Sequence, residues 1–388
     1  METLQRIAAG PPPVPAGHRT RDAGVRRGEN KLGPRCRTKP LVGIDLGSSS
    51  IKAVQVGAGP SGPAILASAA VGTPDGSVEG GTVKSPRVLG GALASLLRTG
   101  GFCTRRAVAG LGGGSLVLRA VTFPRMSEGE LAAVLRWEVG RHVPIPVEEA
   151  VVDHCIIGDV EDARMEVLLA AAPRRAAESH LQVLGACGLR AVALDAEAVA
   201  VCRALRFLGL LAPGETASAM VVDIGATSTG ITLATGGVPR ITRTLGVGGN
   251  DLTESIARST GKGWQEAELL KREHGLTPGL PAVQRAAEGF AESLLAEMRR
   301  SVDFFTVQSR GRRLVSVVMV GGGAALRGLV SAVESSLVAP LRGAFSDDCS
   351  VQVAVPALRH ADPGPGESSL GPEYVAALGL ALWEEDET

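Results

Sequence analysis

The sequence predicts an α/β protein of two lobes, with a small α/β subdomain inserted into the first lobe. Three observations carry this reading. The Asp-x-Gly of 42-VGIDLGSSSIKAVQV-56 returns 178 residues later in 221-VVDIGATSTGITL-233. Each copy reads as an apolar strand, a tight run of small hydroxylated residues and a second strand. A further stretch, 314-LVSVVMVGGGAALRGL-329, reads as a buried strand, a triple glycine and a helix. The length agrees, because 388 residues exceed what one compact core usually organises.

Composition narrows the class. Hydrophobic residues make up 45% and aromatics 3%, so the core is aliphatic. Residues 1–39 hold nine Lys and Arg against Glu2, Asp22 and Glu29, so that stretch is about +6 and the remainder about −6. The remainder gives no electrostatic case for nucleic acid. Six scattered cysteines without a C-x-x-C pair fit reduced thiols in the cytoplasm. No apolar run approaches a membrane span, and the start has no signal-peptide core.

The elements follow in order. Residues 1–39, rich in Pro, Gly and Arg, are expected to be a disordered basic tail: a solvated extension, or a contact for an anionic membrane surface. Leu41–Asp45, Ile51–Val56 and Ala64–Val71 read as strands. Val88–Thr99 has helical spacing and stops at Gly100–Gly101. Ala107–Leu111 and Ser115–Val121 are strands split by three glycines. Ser127 and Glu130 form a capping box for a helix through Val139, ended by Pro144 and Pro146. Trp137 on that helix is expected in the core rather than at a partner surface. Val151–Ile157, Met165–Ala171 and Ala191–Leu194 are strands around a helix over Ala176–Gly188. Glu197–Leu210 is a helix leading to the second turn. Leu252–Thr260, Trp264–His274 and Ala282–Phe305 are helical. Val351–Val355 is a strand, and Pro372–Trp383 a final apolar helix with Pro at its start.

The repeated turn has a chemical reading. Glycine and small hydroxylated residues let successive backbone N–H groups face an anion, and Ser or Thr hydroxyls add donors. Asp45 and Asp223 at the turn entrances cannot bind phosphate, but each can hold a hydrated Mg²⁺. Lys52 offers a point charge to phosphates. Two such turns, one per lobe, would hold a polyphosphate and one metal from both sides. The triple glycine at 321–323 would let backbone lie flat against a planar ring; its alternative is a sharp left-handed stop. There is no G-x-x-x-x-G-K-[ST] loop. His142, His154 and Cys155 lack the short spacing of a metal site, and no G-x-S-x-G elbow is present.

The pattern resembles the actin, chaperone and sugar-kinase (ASKHA) superfamily. Within it, the chain is similar to the PilM family of actin-like proteins of type IV pilus assembly, with the division protein FtsA as a cousin. The resemblance covers roughly 38–385. It rests on the two turns, on 123-FPRMSEGELAAVLRWEVGRHVPIP-146 and on 245-LGVGGNDLTESIA-257. It implies an actin-like ATPase fold whose first lobe carries a 1C-type insert. The expected division is 40–121 for subdomain 1A, 122–194 for 1C, 195–215 for the 1A return, 216–245 for 2A, 246–310 for 2B, 311–371 for the 2A return and 372–388 for a C-terminal helix packing on 1A with an acidic end.

The resemblance also implies cofactors, ATP with Mg²⁺, and site residues. Asp45 and Asp223 would face the metal through water. Gly47, Ser48, Ser49 and Lys52 would hold phosphates from one lobe, and Gly225, Ala226 and Thr227 from the other. Gly248, Gly249, Gly321, Gly322 and Gly323 would line the nucleotide. Glu268 and Lys271 match positions that contact ribose and base in relatives; on spacing alone they also read as a surface ion pair. Asp195 would stand near the attacking water, with Glu197 as its rival. The implied function is an ATP-binding scaffold, cytoplasmic and at the inner face of the inner membrane, with slow hydrolysis compatible. It would bind the N-terminal cytoplasmic peptide of a PilN-like membrane protein, with other pilus components as further partners. Two other classes share the fold. An FtsA-like filament protein is disfavoured by the acidic 383-WEEDET-388, where a membrane-binding amphipathic helix is expected. A small-molecule kinase needs a dedicated substrate pocket and base.

Overall fold

The computed structural model describes residues 40–59, 62–160, 163–212, 214, 217–309, 311–356 and 370–384. The basic stretch 1–39 and the acidic end after Glu384 therefore lie outside the described residues.

Lobe I begins with three antiparallel strands, β1 (Leu41–Leu46), β2 (Ser50–Gly59) and β3 (Gly62–Gly72). A small hairpin follows, β4 (Val78–Glu79) and β5 (Thr82–Val83), which two-residue strands leave unreadable in sequence. Helix α1 (Pro86–Thr99) buries Leu89, Leu93 and Leu96 at helical spacing, with proline in its first turn. Strand β6 (Arg106–Leu111) runs parallel to β1.

The insert contains β7 (Val117–Pro124), α2 (Glu128–His142), β8 (Ala150–Val160) and β9 (Arg164–Pro173), in a sheet ordered β7-β9-β8. The capping box forms: Ser127 N–H donates to Glu130 Oε2 at 2.8 Å. Helix α2 buries Leu131, Leu135 and Val139, four residues apart. Trp137 falls two residues out of that stripe and turns to the opposite side, so it is 86% exposed and the core expectation is corrected. The insert's expected bounds are 122–194. Helix α3 (Arg174–Ala186) joins the lobe I core beside α1, and β10 (Arg190–Ala196) runs parallel to β6 with Arg190 opposite Arg106. The three-stranded sheet itself runs from Val117 to Pro173.

Helix α4 (Glu197–Phe207) leads into lobe II: β11 (Ser218–Ile224), β12 (Thr229–Thr235), β13 (Val238–Leu245), helices α5 (Gly249–Thr260), α6 (Trp264–His274) and α7 (Pro281–Gln308), then β14 (Leu314–Val320), α8 (Leu329–Val333), β15 (Phe345–Val353) and α9 (Val375–Ala381). The expected helix after the triple glycine starts only at Leu329, because Gly322–Ala325 form a 3-10 turn first.

The sheets are β10-β6-β1-β2-β3 and β13-β12-β11-β14-β15. Numbered within each lobe, both read third-second-first-fourth-fifth, with the first three strands antiparallel and the rest parallel to the first. The repeated turn is thus the corresponding corner of two sheets wound the same way. Each lobe has its own aliphatic core. A third cluster joins them: Val54 and Val56 of lobe I, Val201 and Leu205 of α4, Val221 and Val318 of lobe II, and Val375 to Leu378 of α9. Contact here is backbone to backbone. A Cβ on Gly379 would lie 1.8 Å from the Ala200 carbonyl oxygen, and one on Gly43 2.0 Å from that of Ala377. The insert also reaches lobe II. Thr242 Oγ1 donates to the Leu118 carbonyl at 2.9 Å, and Arg240 pairs with Glu166.

Candidate nucleotide cleft

The two turns meet face to face. Ser48 Oγ and Thr227 Oγ1 lie 2.9 Å apart across the gap between lobes. Each turn is tight for the same reason. A Cβ on Gly47 would stand 2.8 Å from the Ser50 carbonyl, and one on Gly225 2.9 Å from that of Ser228. Neighbouring chain braces both: Thr73 Oγ1 donates to the Gly47 carbonyl at 2.6 Å, and Gly225 N–H to that of Ser228 at 2.9 Å. Helix α5 abuts the second turn, with Gly249 and Asn250 N–H donating to the Gly225 and Ala226 carbonyls. A Cβ on Gly248 would strike the Ala226 carbonyl at 2.5 Å, so glycine there permits that close approach.

These elements enclose a cleft of about 760 Å³ lined from both lobes. The structure brings Asp45, Gly47, Ser48, Ser49, Lys52, Asp223, Gly225, Ala226, Thr227, Gly249, Glu268, Lys271, Gly321, Gly322 and Gly323 to its wall. Gly248 lies just behind, holding α5 in place. Gly321 has φ +81, and a Cβ on it would meet Asp223 Oδ1 at 2.4 Å. Gly323 would strike Ile224, whereas Gly322 faces open space. The triple glycine is therefore both a packing device and part of the wall.

Asp195 does not line the cleft. It is fully buried, its Oδ2 accepts from Arg203 at 2.8 Å, and burial raises its pKa against the lowering influence of Arg203. Glu197, the rival, is in the wall. The reason is the junction between β10 and α4: strand alternation would set Asp195 and Glu197 on one face, but the chain turns into the helix at Glu197, and its side chain is redirected to the cleft. Gly110 and Gly112 make room for it, because a Cβ on Gly112 would fall 1.5 Å from Glu197 Oε2. Sequence reasoning took the three glycines at 112–114 only as a break between strands. Their spacing opposite the strand that delivers Glu197 was the missed signal.

Charge is concentrated here. Lys52 Nζ is 2.9 Å from Asp45 Oδ2 across the β1–β2 pair. Burial alone would lower its pKa, but Asp45, and more distantly Asp223 and Glu197, leave it raised. The corresponding partner of Asp223 is Gly230, so lobe II supplies no second lysine. Burial and then Asp45 push Asp223 up to about 6; burial and then Asp45 and Asp223 push Glu197 up to about 8. Carboxylates short of counter-charge, all oxygen donors, suit a hard divalent cation such as Mg²⁺. Among the described residues no group of three or more His, Cys, Asp and Glu is placed to hold a metal ion.

The far wall is a network. Glu268 accepts from Thr253 Oγ1 at 2.6 Å and pairs with Lys271 at 2.5 Å and Arg272 at 2.9 Å. Burial would raise its pKa, but these hydrogen bonds hold it below the ordinary value. Lys271 Nζ also donates to the Gly249 carbonyl at 3.1 Å, so the pair is anchored rather than a loose surface pair. Sequence reasoning missed Trp264, Arg272 and Asn250, and the C-terminal Pro372 and Glu373, all in the wall. Pro372 closes it from below, its carbonyl accepting from Gly321 N–H at 3.0 Å.

Two like-wound lobes meeting at paired glycine turns define the class: this is an actin-like fold. Comparison then gives the family. The family model for the type IV pilus assembly protein PilM matches residues 43–383. The chain belongs to that family. A solved PilM-PilN type IV pilus biogenesis complex is similar at 32% identity and TM-score 0.74, over 88% of this chain and 97% of that one. The ethanolamine utilization protein EutJ from Carboxydothermus hydrogenoformans matches at 22% identity and TM-score 0.54, over 92% of each chain. MreB5 of Spiroplasma citri, solved with ADP, matches at 12% identity and TM-score 0.50, over 89% of this chain and 96% of that one. The last two bear on the fold alone.

Proposed function

We propose that this protein is a nucleotide-tuned scaffold of a type IV pilus or related inner-membrane assembly platform, which takes Mg-ATP in the cleft and binds the N-terminal cytoplasmic segment of a PilN-like membrane protein. The observation that carries the nucleotide half is the Ser48–Thr227 contact: matched turns, one per lobe, close on the space between Asp45 and Asp223. In this reading the turn N–H groups and Lys52 receive the phosphates, Glu268 and Lys271 hold the sugar and base, and Asp45 and Asp223 hold the waters of the metal. Bound there, Mg²⁺ would neutralise charge on the phosphate oxygens. Glu197, in place of Asp195, orients the attacking water if hydrolysis occurs. The partner half is supported by the similarity to the chain solved in a PilM-PilN complex. Because ATP would touch both lobes, it favours their closed arrangement, and a peptide site that senses that arrangement responds.

The test is binding of a fluorescent ATP analogue with Mg²⁺, paired with capture of a synthetic PilN-type N-terminal peptide. The reading expects Asp45→Ala/Asp223→Ala to lose nucleotide binding and the ATP response of peptide capture. Peptide capture indifferent to ATP and to both substitutions would remove the switch and leave the scaffold. No nucleotide binding by the wild type would remove the cleft assignment.

A further inference from the structure

The cleft occupies one end of the molecule, and the opposite end has a composition of its own. Helix α4 defines the two ends. It starts at Glu197 in the cleft and finishes at Arg206, whose side chain packs on Gly237 in the turn between β12 and β13. Helix α9 agrees. The Pro372 carbonyl just before it binds Gly321 at the cleft, while Trp383 after it packs with Leu41 at the start of β1. The parallel strands of both lobes deliver Asp45, Asp223 and Gly321 to the cleft, so the starts of these strands share the far end.

The loops entering those strands are basic. Arg105 stands before β6 and Arg190 opens β10; in lobe II, Arg312 and Arg313 stand before β14, and Arg342 before β15. All five are exposed, and none forms an ion pair among the described residues. Among the described residues the acidic groups at this end are Asp303, Asp347, Asp348 and Glu384, and the sequence continues from there through Glu385, Asp386 and Glu387, so the net positive charge of this end comes from residues 1–39. Beside the lobe II arginines, α7 ends with Phe304 and Val307 exposed, the valine at 85%. The chain's strongest positive stretch, residues 1–39, joins the fold at this end through Leu41.

Arginine forks match phosphate-bearing headgroups, and apolar side chains between them match the boundary of the acyl region. Nucleic acid would use the arginines, and unpaired bases could stack on Phe304, but the aliphatic Val307 offers it nothing. We propose that this base is a docking face for a bilayer containing anionic phospholipid, with the cleft turned away from the membrane. The inference stands apart from the nucleotide reading, since no cleft residue takes part.

The experiment is co-sedimentation of the full chain with vesicles of phosphatidylcholine alone, or with phosphatidylglycerol added. The expected result is binding only with phosphatidylglycerol, falling as salt rises. Each surface-proximal arginine is worth about fivefold in partition. Arg312→Glu/Arg313→Glu should therefore weaken binding by roughly 25-fold or more by that measure. Val307→Asp should weaken binding at high salt, where charge is screened. Both changes are at exposed positions, and unchanged melting temperatures show that the fold survives. Arg105→Glu/Arg190→Glu repeats the test on lobe I. Wild-type indifference to phosphatidylglycerol would overturn the proposal. So would variants that bind as wild type, which would leave the basic stretch 1–39 as the whole attraction. Tighter binding to duplex oligonucleotide, unchanged by Val307→Asp, would overturn it in favour of nucleic acid.

Discussion

Replacing Glu197 by Gln should stabilise the nucleotide-free protein at alkaline pH. Glu197 is held at about 8, against an ordinary 4.5, by burial first and by Asp45 and Asp223 next. Its folded-state value is raised, so protonation favours the fold. That contribution is complete below the unfolded value and is lost as pH climbs through about 8. At about 1.4 kcal/mol per tenfold in proton affinity, the wild type forfeits on the order of a few kcal/mol over that window. Glutamine has nothing to ionise and avoids this loss. The remaining rise of Asp223 to about 6 gives both proteins a shared decline at lower pH. The assay is melting temperature against pH, from about 5 to about 9, without metal or nucleotide. The two curves should already part at about pH 5 and separate further until about pH 8, above which they run parallel with Glu197→Gln the more stable. Curves parallel over the whole range would refute the claim that the half-buried Glu197 is held protonated by its surroundings and by the carboxylates of Asp45 and Asp223, against the single charge of Lys52. Adding Mg-ATP should stabilise the wild type more than the variant at pH 8, because cation charge offsets a repulsion that Gln lacks.

Three other predictions concern the scaffold. Arg203→Met leaves the buried Asp195 carboxylate without its partner and should cost about 3–5 kcal/mol in chemical denaturation, whereas exchanging both for apolar residues should cost much less. Gly379→Ala pushes a methyl into the Ala200 carbonyl, where backbone cannot yield, and should lower stability by about 3 kcal/mol, read as an earlier urea midpoint. Arg240→Ala should speed amide exchange in β7 and β9, while Arg240→Glu/Glu166→Arg should restore protection if the ion pair itself seats the insert.

The fold was legible because it is written twice. Asp45 to Lys52 and Asp223 to Gly230 announce the same corner through the same residue types, and the apolar runs around them have strand length. The capping box at Ser127 was equally plain, because a helix start is a local event. Trp137 was not legible. Its hydrophobicity argued for the core, but the stripe of Leu131, Leu135 and Val139 places it outside, and only the register of burial decides that. Where the insert ends was not legible, because α3 and β10 follow β9 with no break in the run of strands and helices. Which core they join depends on α1 and β6, remote in sequence. Asp195 and Glu197 sit two residues apart at a strand-to-helix junction. Their roles separate only when Arg203 claims one and Gly110 and Gly112 clear a space for the other.

Helix α4 also forms a rigid rod between the two ends of the molecule. Its eleven residues span about 16 Å, with Glu197 at one tip and Arg206 seated on lobe II near the other. It lies against Gly379 with no side chain between, so it has no soft layer in which to lose motion. A tilt of about 5° that shifts one tip sideways is carried to the other as a displacement of roughly 1 Å, by the length of the rod. Were α4 to tilt about its contact with Gly379, the carboxylates at one tip and the loops at the other would move together, in a ratio set by the position of Ala200 along the helix.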